Sequence, residues 1–310
     1  MTGNKPRNVA ASVRERLTNV AKQEGESFQY ILVRYAIERL LYRLSQSSHG
    51  THFILKGAML FQVWRPTTHR TTRDLDLLGE GAPCIERLVA IFQDVVSVEV
   101  DDDGLSFAGD EIRGEQIKEE DEYQGIRIKG LARLGYARIP LQIDIGFGDA
   151  VTPEPERITY PTLLDSPAPF LLAYNRETVV AEKFQAMVRF GMTNSRMKDF
   201  FDLWRLAHDF AFDGQKLAKA MNATFRRRDT DLPDDMPVAL SDEFALDATK
   251  QTQWNAFLKK ASVNERASLD DALVLLREFL LPPARAIVDK KSLDMRWQPC
   301  GPWRPKRSGR

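Results

Sequence analysis

The chain has 310 residues, 44 Lys and Arg balanced by 44 Asp and Glu, 43% hydrophobic and 28% charged residues. That length suffices to bury the core of one elaborated domain or two modest ones; the composition excludes wholesale disorder, and zero net charge excludes a simple polybasic nucleic-acid binder. No apolar run reaches the roughly 20 residues that span a bilayer, the N-terminus has no hydrophobic signal core, and the distant Cys84 and Cys300 suit neither a disulfide framework nor a zinc site, so a cytoplasmic protein is expected.

Residues 8–46 read as helices, with Ser27 capping a helix through residue 44 on the spacing of Phe28, Ile31, Leu32, Tyr35, Ala36 and Leu40. A short apolar stretch at 52–55 leads through Lys56-Gly57-Ala58 into a helical stretch ending at Trp64. A polar turn, 65–73, precedes Asp74-Leu75-Asp76-Leu77-Leu78. Strand signals dominate next, at 95–100, 126–131 and 141–147. Asp101-Asp102-Asp103 precede Gly104 and read as a solvated turn, within a stretch, 99–122, holding eleven acidic residues against two basic. After the prolines at 153, 155, 161, 167 and 169 the pattern becomes helical, at 177–190 (ended by Gly191), 197–210, 214–226, 250–261 and 268–280. A mixed α/β front half and a helical back half thus meet near residue 160. The tail, 289–310, has seven basic residues against two acidic and two Trp; it is expected to be irregular, packing over the body through its Trp residues or offering a basic strand to a polyanion.

Asp74 and Asp76 would share one face of a strand while the leucines enter the core, and Asp144 is the sole charge on the polar face of Leu141-Gln142-Ile143-Asp144-Ile145-Gly146-Phe147. On neighbouring strands the three carboxylates would converge and need a cation, for which Mg²⁺ or Mn²⁺ is the hard-oxygen choice. Lys183 has Val179, Val180, Ala186 and Met187 as its helical neighbours, so it either snorkels beside the core or aims its charge into a cleft. Asn194 or Ser195 can cap the next helix, on which Asp199 and Asp202 share a face; alone, Asp199 is equally a favourable first-turn charge.

In this order Lys56-Gly57-Ala58, Arg73-Asp74-Leu75-Asp76-Leu77, Asp144 in IDIGFGD, Val179-Val180-Ala181-Glu182-Lys183 and Arg196-Met197-Lys198-Asp199-Phe200-Phe201-Asp202-Leu203 resemble the AbiEii/AbiGii-type nucleotidyltransferase toxin family, over residues 50–205. The resemblance implies an α+β fold: a polymerase-β-like nucleotidyltransferase core, a mixed sheet with flanking helices, plus a helical C-terminal half. Residues 1–160 would hold the N-terminal helices and the core, 161–288 a helical domain completing the active-site cleft, and 289–310 the tail. The implied activity, of EC 2.7.7 type, moves a nucleoside monophosphate from an NTP to RNA, foremost the tRNA 3′ end, releasing pyrophosphate; the setting is a toxin–antitoxin or phage-defence system.

By the same resemblance Asp74, Asp76 and Asp144 would ligate the metal, Asp144 also orienting or accepting the proton of the attacking hydroxyl. Lys183 would contact the triphosphate, Asp199 would be needed for activity and Lys198 would flank the nucleotide. Lys56, Gly57, Ala58 and Arg73 complete the nucleotide-binding set, with Gly57 opening a helix whose amides face phosphate. Many members have Gly-Gly or Gly-Ser and a nearby hydroxyl where this chain has Gly57-Ala58-Met59. An RNA acceptor would use Arg65, Arg70, Arg226, Arg227, Arg228 and the tail, while the acidic stretch would face solvent or a basic antitoxin. A monomer is expected. Two other readings are a kinase-like or protein-modifying transferase on the same scaffold, and a catalytically weak NTP-binding partner protein; a helix-turn-helix DNA binder lacks a basic recognition helix.

Overall fold

The computed structural model describes residues 8–65, 72–119, 123–261 and 267–306. The chain divides into two compact units, one made of residues to Gly148 with Glu156–Ala173, the other of Asp149–Pro155 with the chain from Tyr174 onward.

The first unit opens with helices α1 (Val9–Glu24) and α2 (Phe28–Gln46), the second capped as expected by the Ser27 hydroxyl, which accepts from the Tyr30 N–H. Strand β1 (Phe53–Lys56) runs into a short helical turn and α3 (Leu60–Trp64), followed by β2 (Leu75–Gly79) and α4 (Ile85–Val96). Then come β3 (Leu105–Phe107), β4 (Arg113–Glu119), β5 (Tyr123–Leu134), β6 (Ala137–Phe147), β7 (Glu156–Thr159) and β8 (Phe170–Ala173). They form one mixed sheet in the order β3-β5-β6-β2-β1-β8-β7, with β4 also pairing β5. Helices α2 and α4 contact the sheet, and Leu55, Leu75, Leu77, Ile126, Ile128, Ile143 and Ile145 form its buried apolar face. Residues 95–100 are not a strand: the apolar pair Val95-Val96 ends α4, whose buried stripe is Leu88, Phe92 and Val95. Apolar runs of that length suit either a helix end or a strand, and helical periodicity upstream decides between them.

Asp103 departs from the solvated-turn reading. Its carboxylate is buried, accepts from Arg43 at 2.6 and 3.2 Å and from Arg39 at 3.3 Å, and the Tyr35 hydroxyl donates to its carbonyl at 2.9 Å. Arg39 also donates to the Pro167 carbonyl, and Glu38 beside it accepts from the Leu163 N–H at 2.7 Å. Burial pushes the Glu38 carboxyl up to about 7. This polar cluster ties α2 to two loops of the same unit.

The second unit contains α5 (Arg176–Phe190), α6 (Met197–Asp209), β9 (Phe212–Asp213), α7 (Gly214–Arg227), α8 (Asp242–Leu246), α9 (Ala248–Lys260), α10 (Leu269–Val288), β10 (Met295–Trp297) and β11 (Trp303–Pro305). Helix α10 runs past the expected stop at 280 and carries Pro282 and Pro283 inside it. Interior prolines cost roughly 3 kcal/mol; here buried Leu280, Pro283, Ala284 and Ala286 provide the packing that offsets it. The tail is also more ordered than expected. Strands β10 and β11 pair antiparallel, β10 also pairs β9, and the Trp297 and Trp303 indoles donate to the carbonyls of Ala207 (2.7 Å) and Phe279 (3.2 Å). Among the described residues no helix is long and apolar enough to cross a membrane.

Candidate active site

Pairing in the first unit aligns charged residues in one row across five strands. Lys56 on β1 lies opposite Asp76 on β2, Asp76 beside Asp144 on β6, Asp144 opposite Arg127 on β5, and Arg127 opposite Glu115 on β4. Strand alternation turns all five away from the apolar face formed by Leu75, Leu77, Ile143 and Ile145. Side chains directly across a ladder approach to roughly 5 Å, where two like charges repel by about 3 kcal/mol at an effective dielectric of 20. The central Asp76–Asp144 pair is flanked by Lys56 and Arg127, which offset that repulsion. Asp74 lies immediately before β2 and is exposed, as is Arg73. The expected face-sharing pair is thus one strand residue and one loop residue.

Gly57 follows Lys56 with φ +75°, a conformation side-chain-bearing residues avoid. A Cβ there would lie 2.7 Å from Asp76 Cγ, so the missing side chain lets the carboxylate lie against the backbone. Ala58 is buried. The helix that Gly57 opens is short, one 3₁₀ turn followed by the five residues of α3, and its dipole is correspondingly small.

Asp144 is committed elsewhere. Arg127 donates Nε to one carboxylate oxygen at 2.7 Å and an Nη to the other at 2.8 Å, with the Gln142 amide at 3.5 Å. The hydrogen bonding raises the Arg127 guanidinium above its ordinary value, and Asp74 and Glu115 add to the effect. A bidentate guanidinium neutralises the carboxylate and repels a cation beside it. The expected roles of Asp144 as third metal ligand and proton acceptor would require this contact to open. Among the described residues no group of three or more His, Cys, Asp or Glu side chains is arranged to hold a metal ion. Asp74 and Asp76 fit a smaller set: one or two carboxylates plus substrate phosphates and water is the usual provision for Mg²⁺.

The second unit brings Lys183, Asp199 and Asp202 together. Helix α5, capped by Asn175 and buried along Val179, Val180, Phe184 and Met187, presents the Lys183 ammonium 2.5 Å from Asp199 and 2.9 Å from Asp202. Arg196 Nε lies 2.8 Å from the other Asp199 oxygen. Burial alone would raise the Asp199 carboxyl, but Lys183 and Arg196 outweigh it and hold it below the ordinary carboxylate range. The first-turn reading of Asp199 is thus too weak, and Lys183 is a partnered lysine rather than a snorkelling one. Residue Asn194 caps nothing in the expected sense: its side chain accepts from the Arg196 N–H just ahead of α6, and Lys198 on the first turn is exposed.

Of the arginines expected to meet RNA, Arg226 and Arg227 are exposed at the end of α7 and Arg65 is half-buried, while Arg70 lies outside the described residues. Arg228 turns inward: it donates to Asp149 at 3.0 and 3.1 Å and to the Gln185 amide oxygen, and lies 3.2 Å from Glu182. Burial opposes its charge, but Glu182 and Asp149 raise it above its ordinary value. Arg127 was missed by sequence reasoning although a signal existed. A two-residue turn at Gly135-Tyr136 pairs Leu134 with Ala137, and stepping back from it sets Arg127 against Asp144.

A family model described as nucleotidyl transferase AbiEii toxin, type IV toxin–antitoxin system, matches residues 39–275. Two solved Helicobacter pylori structures are similar at 16% identity: JHP933, with TM-score 0.48 over 85% of this chain and 95% of its own, and a candidate nucleotidyltransferase, with 0.49 over 85% and 98%. No curated protein matches.

Proposed function

The chain belongs to the AbiEii family of nucleotidyl transferase toxins of type IV toxin–antitoxin systems, and from that premise we propose that it moves a nucleoside monophosphate from an NTP to an RNA 3′ end, foremost that of tRNA, in the cytoplasm. The observation that carries the reading is the close approach of Asp76 to the Gly57 backbone beside Lys56 and Asp144 in one row. In this reading the acceptor 3′-hydroxyl gives its proton to water and its oxygen forms a bond to the α-phosphorus as the bond to the pyrophosphate oxygen breaks. Asp74 and Asp76 hold a divalent ion, Mg²⁺ or Mn²⁺, which when bound supplies positive charge to the phosphates. Lys56 and the Gly57-Ala58 backbone border those carboxylates and bind phosphate, with Arg73 at the rim. In the second unit Lys183, oriented by Asp199 and Asp202, and the exposed Lys198 are point charges of the kind that bind a triphosphate.

The RNA acceptor is supported by α7. This helix, GQKLAKAMNATFRR, contains no acidic residue; its buried face is Leu217, Ala220, Met221, Thr224 and Phe225, and it exposes Lys216, Lys219, Arg226 and Arg227. Lys219 and Arg226 are seven residues apart on one face, about 10.5 Å along the axis, and two such cations suit a phosphate backbone. An antitoxin protein is the expected partner of the toxin, and a monomer its expected state.

The test is incubation of the purified chain with total tRNA, Mg²⁺ and each α-labelled NTP in turn, beside Asp76→Ala and Lys183→Ala. Label on tRNA with the wild-type chain alone is the expected result. Full transfer by either variant overturns the site, and label on protein instead of RNA overturns the acceptor.

A further inference from the structure

The charged row carries an inference that rests on the nucleotidyltransferase reading above. We propose that Arg127 is the resident counter-cation of Asp144, so that the site binds one divalent ion, at Asp74 and Asp76, and Asp144 anchors Arg127 instead of ligating a second ion.

Three observations support this. First, the pairing is built into the backbone: β5 and β6 are joined by a two-residue turn and Arg127 is the register partner of Asp144, so the guanidinium lies directly across from the carboxylate. Second, the pair is sheltered, the Asp144 side chain being 15% exposed and that of Arg127 29% exposed, which lessens screening by water and salt. Third, Arg127 has acidic company on both sides, Asp144 and Asp74 toward the site and its register partner Glu115 away from it. A guanidinium keeps its charge throughout the range in which proteins fold, so no pH change releases Asp144. Cations compete for a carboxylate, and the one already covalently tethered to the next strand is present at high effective concentration. The positive charge next to Asp144 is thus supplied by the protein, through a two-pronged contact from the neighbouring strand.

The experiment counts bound Mn²⁺ by electron paramagnetic resonance on the full chain, saturated with a non-hydrolysable NTP analogue and corrected against the analogue alone. One ion per wild-type chain and two in Arg127→Gln are expected, with Asp144→Asn and the Arg127→Gln/Asp144→Asn double variant each binding one. Any other pair of counts for wild type and Arg127→Gln, including none in the wild type, overturns the proposal. Should Arg127→Gln fail to fold by circular dichroism, Arg127→Lys replaces it. Lysine keeps the charge but not the fork, so a second ion is expected at least tenfold more weakly bound than the first; its absence overturns the proposal equally. The label-transfer assay separates this failure from that of the parent reading: transfer with a wild-type count of two sinks the assignment of Arg127 alone, and absence of transfer sinks the nucleotidyltransferase acceptor reading whatever the count.

Discussion

Gly57 shows how much one missing side chain decides. Its φ of +75° and the Asp76 carboxylate against it impose separate penalties on any substitution. Gly57→Ala strains the backbone by about 1 kcal/mol, which a domain of this size tolerates, but its methyl group also displaces Asp76. Misplacement of about 1 Å at a reacting centre costs on the order of 10²-fold in rate. The expected outcome is a folded protein with transfer reduced about a hundredfold, measured in the tRNA-labelling assay alongside a melting curve. A variant of unchanged rate would mean that Asp76 need not lie against this turn. Serine at Ala58, by contrast, meets no positive φ and tests whether a hydroxyl there raises the rate.

Among the elements, the β10–β11 pair shows how a basic, proline-rich tail becomes ordered. Phe212, Phe279, Trp297 and Trp303 cluster with ring centroids 5.0 to 6.2 Å apart, and both indole N–H groups find carbonyls. Trp297 is fully buried. Large aromatic truncations in cores cost about 3–5 kcal/mol, so Trp297→Ala is expected to lower the urea midpoint by a corresponding amount, as read by denaturant titration. A change below about 1 kcal/mol would show the tail to be an appendage. The β5–β6 hairpin is the opposite case. Its turn and its alternation were both present in the sequence, and stepping back from the turn would have paired Arg127 with Asp144. The parallel pairing of β2 with β6 had no such local cue, because a crossover brings those strands together.

At the scale of the whole molecule, stability carries a pH signature from Glu38. Its carboxyl is raised by burial to about 7 from an unfolded value of 4.5. The native state therefore retains a proton that the unfolded chain releases between those values, and stability falls as pH rises through that window, the full penalty being present above pH 7. Asp199 acts in the reverse sense: its lowered carboxyl contributes stability above its unfolded value of 3.8 that is lost as pH falls through the folded value. The wild-type chain is expected to melt a few degrees higher at pH 5.5 than at pH 8. Glu38→Gln, which can still accept from the Leu163 N–H, should flatten that difference; an unchanged slope in differential scanning calorimetry would assign it to other groups.

Periodicity and capping sufficed in the sequence for most helices, for the strands around Asp76 and Asp144, and for the ordered motifs that point to the family, because those signals act over a few residues. Three matters needed the tertiary structure. Asp103 reads as one of three solvated acids, and only the approach of Arg39 and Arg43, sixty or more positions away, buries it. Arg228 reads like Arg226 and Arg227, and only the neighbourhood of Asp149 and Glu182 turns it inward. Asp144 reads as a metal ligand, and only the register of β5 with β6 sets Arg127 against it. In each case the residue type was legible but its counter-charge lay on another element, and a charge takes its role from whatever the fold places beside it.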